Sequence, residues 1–398
     1  MYVQDEWPKN PNGTDYDGQN LLGLLRAGKS PFEGIWDVEV LVREIEEGIH
    51  LKLEKGPDIL ARLSRSDVNM PNFDGFPIHV QIPEVMFEAA VYDLLYGVPG
   101  VMVPRLLWYR IPMLYESHRR DLRGRSLLFF EKPEGEADVW RDLGPEQKVL
   151  LIGSSARIRA ALFIYELPSN FSSFWLRERL FEQKPKRIPV CVAPTREFCV
   201  SLLTSKINAT IGALGEMMGW EEDCAIVGPI AAAAKQSLLK LIPQILPEED
   251  NEISLYRLVL EHGDFGVHNM SVVVDGKGEP CVTSLFDWET GCIVPAILSD
   301  PLMAVWVDLV TDENGVASYT RVPEDAGPED HEEYRGWTEK YFEVLFEQAP
   351  DYEKAIKAGK DVRYLWFTLR AWRGEDPEAY FGKLGEWAEG RLREMGGE

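Results

Sequence analysis

Between residues 36 and 63 hydrophobic and polar positions alternate in short runs, which is typical of β-strands. DVEVLVREI predicts a strand, EEG a turn, IHLKL a second short strand, EKGP another turn and DILARL a third strand. PEVMFEAAVYDLLYG has apolar residues at three- and four-residue spacing, so it predicts a helix that begins near Pro83 and ends at Gly97. The first 35 residues are rich in Gly, Asn, Asp and Pro and predict a loosely packed arm.

A change of period separates this small sheet from the rest of the chain. The apolar run of SLLFFEKPEGEAD ends at Phe130, and the Pro- and Gly-containing segment after it predicts a hinge. Helical patterns then cover 144–167, the regions around 195–215 and 228–245, and the chain from Asp300 to its end. Strand patterns return in LYRLVLEHGDF, MSVVVDGKGEP and CVTSLFDWETG, with DGKG as the reversal. The predicted organisation is an arm over 1–35, a small lobe over 36–130, a hinge over 131–135 and a helical lobe over 136–398.

The composition disfavours several classes of partner and location. Asp and Glu number 66 against 42 Lys and Arg, and the resulting net charge of −24 disfavours nucleic acid and anionic membranes as partners. No run approaches the roughly 18 consecutive apolar residues of a membrane helix. The N-terminus lacks the basic and apolar regions of a leader, so a cytoplasmic location is predicted. The 5 cysteines have no CxxC spacing and are predicted to be buried thiols.

Two short motifs carry the strongest signal for chemistry. EHGDFGVHNM precedes SLFDWETG, and Asp264, Asn269 and Asp287 lie at strand ends on either side of the predicted hairpin. Folding of the hairpin would bring these three side chains together at one end of it. Asn269 and Asp287 suit Mg²⁺, which takes one or two protein carboxylates and completes its shell with water and phosphate oxygens. Asp264 would then orient a hydroxyl group and take its proton. The alternative is a polar turn in which these residues act as caps.

HGDFGVHN followed by LFDWE resembles the aminoglycoside phosphotransferase and choline kinase-like family, and more narrowly its fungal branch of phosphotransferase enzymes. The resemblance implies an α+β, bilobal protein kinase-like fold with a small β-rich lobe, one helix in that lobe, and a larger, mainly helical lobe. It implies Asp264 as the catalytic residue, Asn269 and Asp287 as metal ligands, and ATP and Mg²⁺ as cofactors. His262 would support the catalytic loop, and His268 is interpreted as a bystander.

The resemblance also implies a basic residue on the third strand that contacts the α- and β-phosphates and pairs with a helix glutamate. Arg62 on DILARL is the candidate, Glu88 is its predicted partner, and Glu84 is the competitor one turn earlier. Arginine still grips phosphate in a bidentate way, so the substitution for lysine does not exclude ATP. The alternative is an exposed arginine in an ordinary surface ion pair.

A phosphate-covering turn is implied in REIEEGIHL. Its one glycine, Gly48, would donate a backbone N–H to phosphate, while Glu46 and Glu47 would repel a triphosphate. Three alternatives stay open: the turn is not needed, the nucleotide lies under another segment such as 64–70 or 70–83, or ATP is not the substrate.

The hinge implies a site for adenine, because backbone groups of the family's hinge meet the adenine edge. The corresponding groups here belong to Glu131 and Lys132, and Pro133 could offer only its carbonyl. A plain linker between lobes is the alternative.

Recognition of the acceptor is predicted after Asp300. Carboxylates and aromatic ring faces could hold a cationic acceptor there, and the alternative is a solvated loop beside a helix core. The candidates are Glu324, Asp325, Glu329, Asp330, Glu332, Glu333, Trp306, Tyr334, Trp337 and Tyr341.

These observations together predict an ATP- and Mg²⁺-dependent phosphotransferase acting on a hydroxyl of a small molecule, amine-bearing molecules included, with no obligate protein partner. The alternative is a kinase-fold protein that has lost phosphoryl transfer and serves as a binding module or a repurposed biosynthetic enzyme. A kinase acting on polypeptides is disfavoured, because no APE-type activation-loop pattern follows DWE.

Overall fold

The structure is a computed structural model that describes residues 8–14, 16, 18–35, 37–50, 58–64, 78–113, 125–178, 190–212, 224–248, 255–312, 315–371 and 376–396. The chain forms two compact units. The first comprises Met1–Val98, Met102–Glu134 and Thr283–Glu289, and the second comprises Pro99–Val101, Gly135–Val282 and Thr290–Glu398. Both units contain helices and strands, so the predicted α+β class is confirmed.

The first unit is built on a small antiparallel sheet with helices beside it. Its elements are α1 (Leu21–Arg26), α2 (Val38–Ile49), β1 (Ile59–Leu63), α3 (Ile78–Leu95), β2 (Leu106–Arg110) and β3 (Leu127–Glu131). The strand order is β1-β3-β2, and the residues of β3 from Leu127 to Phe130 are buried. A central strand is covered on both faces, which is why this run is continuously apolar rather than alternating. Helix α3 begins before Pro83, which lies inside it.

Helix α2 replaces the strand and turn that were predicted for 37–48. Asp37 caps the helix, because its carboxylate accepts the N–H of Glu39 at 2.9 Å. Leu41 and Ile45 share one face and are buried against β3. The predicted three-stranded meander is therefore wrong at its first strand. Of the second predicted strand, 49–53, Ile49 ends α2 and His50 caps it, while 51–53 lie outside the described residues. The first unit thus has more than the one predicted helix.

The described part of the N-terminal arm is packed rather than loose. Phe32 is 1% exposed, and its ring meets that of Tyr16 edge-on at 6.0 Å between centroids. Both rings join Val38 of α2 in a small hydrophobic cluster, with leucines of α1 at its rim. This cluster ties the arm to the helix that covers the sheet.

The second unit combines long helices with short sheets. Its helices are α4 (Pro145–Ile164), α5 (Ser169–Glu178), α6 (Arg196–Thr210), α7 (Cys224–Ile245), α8 (Pro328–Gln348), α9 (Pro350–Ala358), α10 (Lys360–Ala371) and α11 (Pro377–Gly396). Its strands are β4 (Leu258–Glu261), β5 (Met270–Val274), β6 (Pro280–Leu285), β7 (Cys292–Pro295), β8 (Met303–Ala304), β9 (Asp308–Thr311) and β10 (Ala317–Thr320). Strand β6 begins in the second unit and ends in the first.

The predicted helices over 144–167, near 195–215 and over 228–245 are confirmed as α4, α6 and α7. The predicted strands around the motifs are confirmed as β4, β5 and β6, with β5 paired to β6 and β4 paired antiparallel to β7. The pairing of β4 with β7 sets Glu261 opposite Cys292 and so fixes the strand that leads into the HGD loop.

Two further expectations for this unit are corrected. The chain after Asp300 is not all helical, since β8, β9 and β10 form an antiparallel sheet there. The cysteines are not all buried, since Cys191 and Cys281 are exposed while Cys199 and Cys292 are buried.

Helix α7 includes a stretch, Ala225–Ile245, that is long and apolar enough to meet the criteria of a membrane span by length and composition alone. Within that stretch 39% is buried in the protein, and α7 packs against α11. A single such helix is weak evidence for a membrane, because core helices meet the same criteria.

Candidate active site

The HGD loop leaves β4 through a backbone that only glycine adopts readily. Gly263 has φ +84°, in the left-handed region. A Cβ built on it would clash with the backbone carbonyl of Thr290. The side-chain hydroxyl of Thr290 also donates a hydrogen bond of 3.4 Å to the carbonyl of His262. The loop is thus fixed against the segment between β6 and β7, and the His262 side chain is fully buried.

Replacing Gly263 by Ala is expected to destabilise the protein by about 1–3 kcal/mol, because the alanine would carry both the strained backbone and the clash with Thr290. Urea denaturation of the purified protein measures this loss. Gly276, in the DGKG reversal, has open space around it, so Gly276→Ala is the control and should change stability by less than about 0.5 kcal/mol. Equal effects of the two substitutions would contradict the assigned close packing.

Asp264 projects from this loop with one carboxylate oxygen engaged. Its Oδ2 lies 3.0 Å from Nε2 of His268 and accepts a hydrogen bond of 3.2 Å from Nδ2 of Asn269. The same Nδ2 donates to the backbone carbonyl of Asp264 at 2.9 Å. Partial burial alone would raise the pKa of Asp264, but the hydrogen bonds and the nearby histidines lower it below its usual value. Asp264 is therefore ionised at neutral pH.

His268 was interpreted as a bystander, and that interpretation is wrong. The imidazole contacts the carboxylate of Asp264 four residues earlier and is 41% exposed. The four-residue spacing of Asp264 and His268 could have indicated this contact. The helical turn Val267–Asn269 brings the His268 side chain next to the Asp264 carboxylate. His268 contacts Oδ2 of Asp264 and leaves Oδ1 of the same carboxylate without this contact.

A buried ion pair lies directly under the loop. Glu261, the last residue of β4, accepts a hydrogen bond from Nη2 of Arg159 on α4, and Arg159 is 1% exposed. The hydroxyl of Tyr352 lies 2.7 Å from the same Nη2 and 2.7 Å from Oγ of Ser299. Ser299 donates a hydrogen bond to Oε1 of Glu261. Burial raises the pKa of Glu261, while Arg159 and Ser299 act in the opposite direction. This cluster joins α4, α9 and the end of β4, three residues before Asp264.

The first unit holds a second cluster of charged side chains, centred on Arg62. Arg62 pairs with Glu88 through Nη2 and with Asp287 through Nη1, whose distance to Oδ1 is 2.9 Å. Glu289 lies 3.8 Å from Nη2. Burial raises the pKa of Glu88 to about 7, and Arg62 opposes this rise. Burial would lower the pKa of Arg62, but its carboxylate neighbours raise it above the usual value.

The predicted pairing of Arg62 with Glu88 is confirmed, and the structure adds two carboxylates that sequence reasoning did not assign to this arginine. Arg62 is therefore not an ordinary exposed arginine, since Glu88 is 1% exposed. Glu289 follows Asp287 by two residues in DWE, and this proximity in the sequence could have indicated Glu289 as a further carboxylate near Arg62. Contact of Arg62 with phosphate stays a prediction.

The predicted role of Gly48 as a backbone donor in a phosphate-covering turn is wrong. Gly48 lies in the last turn of α2, as do Glu46 and Glu47, and a Cβ on it would meet the Trp108 ring at 3.0 Å. Glycine is needed here for close packing of α2 on the indole. Of the alternative covers 64–70 and 70–83, residues 65–77 lie outside the described residues, and 78–83 form the start of α3.

The hinge donors predicted for adenine are already used. The N–H of Glu131 donates to the carbonyl of Arg105 at 3.0 Å, and the N–H of Lys132 donates to the carbonyl of Asp58 at 2.8 Å. Pro133 has no N–H. Among the backbone groups of residues 131–133 only carbonyls are therefore left to meet an adenine, and its binding there stays a prediction.

The aromatic residues proposed for the acceptor separate into two groups. Tyr334, Trp337 and Tyr341 on α8 are buried, so they form helix core. Trp306 is 48% exposed, and the guanidinium of Arg141 lies 5.4 Å from its ring centroid. The acids Glu329, Asp330, Glu332 and Glu333 lie in the first turns of α8 rather than in a loop.

The donors predicted for Mg²⁺ suit that ion chemically, since they are carboxylate and amide oxygens. Asn269 uses its side-chain amide nitrogen in both of its side-chain hydrogen bonds, which leaves its amide oxygen for a cation. Asp287 belongs to the first unit and Asn269 to the second, so their convergence stays a prediction. Among the described residues no group of three or more His, Cys, Asp or Glu side chains is placed to hold a metal ion.

Comparisons with known proteins give similarities in structure only. No protein-family model and no curated protein matches the chain. The streptomycin–ATP complex of APH(2″)-IIa superposes with TM-score 0.41 at 14% identity, over 88% of this chain and 96% of that one. ADP-bound aminoglycoside phosphotransferase APH(2″)-Ib gives 0.41 at 11% identity, over 89% and 98%. Choline kinase from Cryptosporidium parvum gives 0.39 at 11% identity, over 90% and 97%.

Proposed function

We propose that the protein is an ATP- and Mg²⁺-dependent phosphotransferase that transfers the γ-phosphoryl group to a hydroxyl of a small molecule. The observation that carries the proposal is the state of Asp264. Its carboxylate is ionised, 53% exposed, and held through Oδ2 by His268 and Asn269. The loop that carries it is anchored on a buried ion pair. An exposed carboxylate held this rigidly is suited to accept a proton in a defined direction.

The free oxygen of Asp264, Oδ1, would accept a hydrogen bond from the acceptor hydroxyl. As the acceptor oxygen forms its bond to the γ-phosphorus, the bond from that phosphorus to the bridging oxygen of ADP breaks. The hydroxyl proton passes to Oδ1 of Asp264, and ADP leaves with the bonding electron pair. His268 and Asn269 keep Oδ2 fixed, so the carboxylate does not need to reorient during the transfer.

Asn269 and Asp287 would hold the metal, with Glu289 as a further carboxylate. Mg²⁺, when bound, neutralises charge on the phosphate oxygens. Arg62 would contact the α- and β-phosphates, while Glu88 keeps it in position. Because Asp287 is paired with Arg62, binding of metal and nucleotide must redistribute these contacts.

An amine-bearing acceptor is the more specific form of the proposal. The net charge of −24 produces a field that favours a cationic acceptor. The exposed ring of Trp306 offers a face for a flat or cationic group, although Arg141 already lies over it.

A protein that retains the fold without phosphoryl transfer is the second candidate, and one observation favours it. Arg62 has carboxylates at both Nη1 and Nη2, so its charge is neutralised without any phosphate. An arginine in this state could simply hold α3 to β1 and to the DWE segment.

The expected result of a thermal-denaturation experiment separates the two candidates. Saturating ATP with Mg²⁺ should stabilise the protein by about 1–3 kcal/mol relative to Mg²⁺ alone, because a ligand that binds only the folded state shifts the unfolding equilibrium. Asp287→Asn should lose most of this gain, whereas Asp93→Asn, an exposed position on α3, should keep it. Absence of any nucleotide-dependent shift in the unmodified protein would favour the second candidate.

A further inference from the structure

Asp287 has an unusual backbone for a residue with a side chain. Its φ is +65°, and residues other than glycine adopt the left-handed region at an energetic cost of roughly 1–2 kcal/mol. Such a conformation persists where surrounding contacts hold it. Two contacts are present in the first unit: the carboxylate of Asp287 pairs with Arg62, and its N–H donates to the hydroxyl of Tyr92 at 3.1 Å.

Tyr92 is placed rigidly. It lies on α3, is 1% exposed, and its ring meets that of Phe130 on β3 at 4.7 Å between centroids. Its hydroxyl donates to Oε1 of Glu88 at 3.4 Å, one helical turn earlier on the same face. A phenolic hydroxyl is both a donor and an acceptor, so it can accept the N–H of Asp287 and donate to Glu88 at the same time.

Helix α3 therefore holds both ends of the charged cluster. Glu88 holds the guanidinium of Arg62, and Tyr92 holds the backbone of Asp287. A shift of α3 along or about its axis would change both contacts together, since residues four apart on a helix move as one face.

We propose that Tyr92 is a positioning residue for the metal ligand Asp287: its hydroxyl fixes the backbone of Asp287 and so aims the carboxylate. This inference rests on the proposed function for the role of the metal, but the hydrogen bond itself does not. A purely structural tyrosine would stabilise α3 and β3 through its ring and leave the metal requirement unchanged.

The test compares Tyr92→Phe with Tyr96→Phe. The first removes one buried hydroxyl and keeps the ring that packs on Phe130. The second removes a hydroxyl from a residue just after α3 that is 56% exposed, so it is the matched control. Thermal denaturation of both variants checks that they are folded, and two measurements then follow.

The first measurement is amide hydrogen exchange over residues 286–289 without nucleotide. Tyr92→Phe should accelerate exchange at Asp287 by roughly fivefold or more, the equivalent of one lost hydrogen bond, and Tyr96→Phe should not. The second is the Mg²⁺ concentration that gives half-maximal ATP binding, which Tyr92→Phe should raise by roughly fivefold for the same reason.

Unchanged exchange at Asp287 in Tyr92→Phe would overturn the inference. Faster exchange with an unchanged Mg²⁺ requirement would also overturn it, because the hydroxyl would then hold the backbone without serving the metal. If the unmodified protein shows no Mg²⁺-dependent ATP binding, the proposed function fails in that protein itself, and the inference about the metal fails with it. The exchange measurement still reports on the hydrogen bond, so the two failures are distinguishable.

Discussion

Replacement of Asp264 by Asn is expected to lower the rate of phosphoryl transfer by about 10²–10⁴-fold, while ATP affinity changes by less than roughly threefold. The amide has nearly the shape of the carboxylate but cannot take the hydroxyl proton. In the variant the new amide would face Nδ2 of Asn269 and Nε2 of His268. In the unmodified protein both of these nitrogens contact Oδ2 of Asp264. ATP hydrolysis with water as the acceptor measures the transfer, because water needs the same base as a hydroxyl group.

Asp351→Asn is the control for this prediction. Asp351 lies on α9 of the same unit and is 59% exposed, close to the 53% of Asp264, so both substitutions remove one exposed negative charge. Hydrolysis should continue at the original rate in Asp351→Asn. An Asp264→Asn protein that hydrolyses ATP as fast as the unmodified protein would reject Asp264 as the base.

Helix α2 shows why local pattern alone misplaced part of the first unit. Val38, Val40 and Val42 occupy every second position and are β-branched, so their local preference is for a strand. The helical signal was weaker and longer in range: an N-cap at Asp37 and buried positions that recur at three- and four-residue spacing. Packing against β3 favours the helix, and β3 is far away in the sequence. Tertiary contact overrides local propensity here.

The Arg62–Glu88 pair was predicted from the family resemblance, which implies a basic residue on the third strand and a glutamate partner on the helix. Sequence reasoning gave no indication that Nη1 of Arg62 donates a hydrogen bond to Asp287, which is 225 residues away. It also could not predict that Tyr92 receives the N–H of Asp287, because a buried tyrosine on an apolar helix face gives no sign of its hydrogen-bond partner.

The sheet formed by β8, β9 and β10 was missed for a different reason. Its strands are 2 to 4 residues long, too short for alternation to be recognised. They matter to the site because Ala304 of β8 forms a parallel bridge with Gly266, two residues after Asp264. The short sheet thus contacts the HGD loop at Gly266, and the motif alone gave no indication of this contact.

Replacement of Arg159 by Met is expected to destabilise the protein by about 3–5 kcal/mol, because it leaves the carboxylate of Glu261 buried without its cation. Urea denaturation measures the loss. Lys340→Met is the control, since the Lys340–Glu343 pair on α8 is exposed and should contribute less than about 1 kcal/mol. The double substitution Arg159→Met with Glu261→Gln should be more stable than Arg159→Met alone, because the uncompensated charge is gone.

The deficit of Arg159→Met should also depend on pH, in a direction that the pKa of Glu261 sets. Burial already raises this pKa, and loss of Arg159 removes a contact that opposes the rise. The folded variant then binds a proton at pH values where the unfolded chain, with a glutamate pKa of about 4.3, does not. Its stability therefore falls as pH increases and recovers as pH is lowered toward 5. A deficit that is constant between pH 5 and 8 would show that the loss comes from packing of the Arg159 side chain and not from the charge of Glu261.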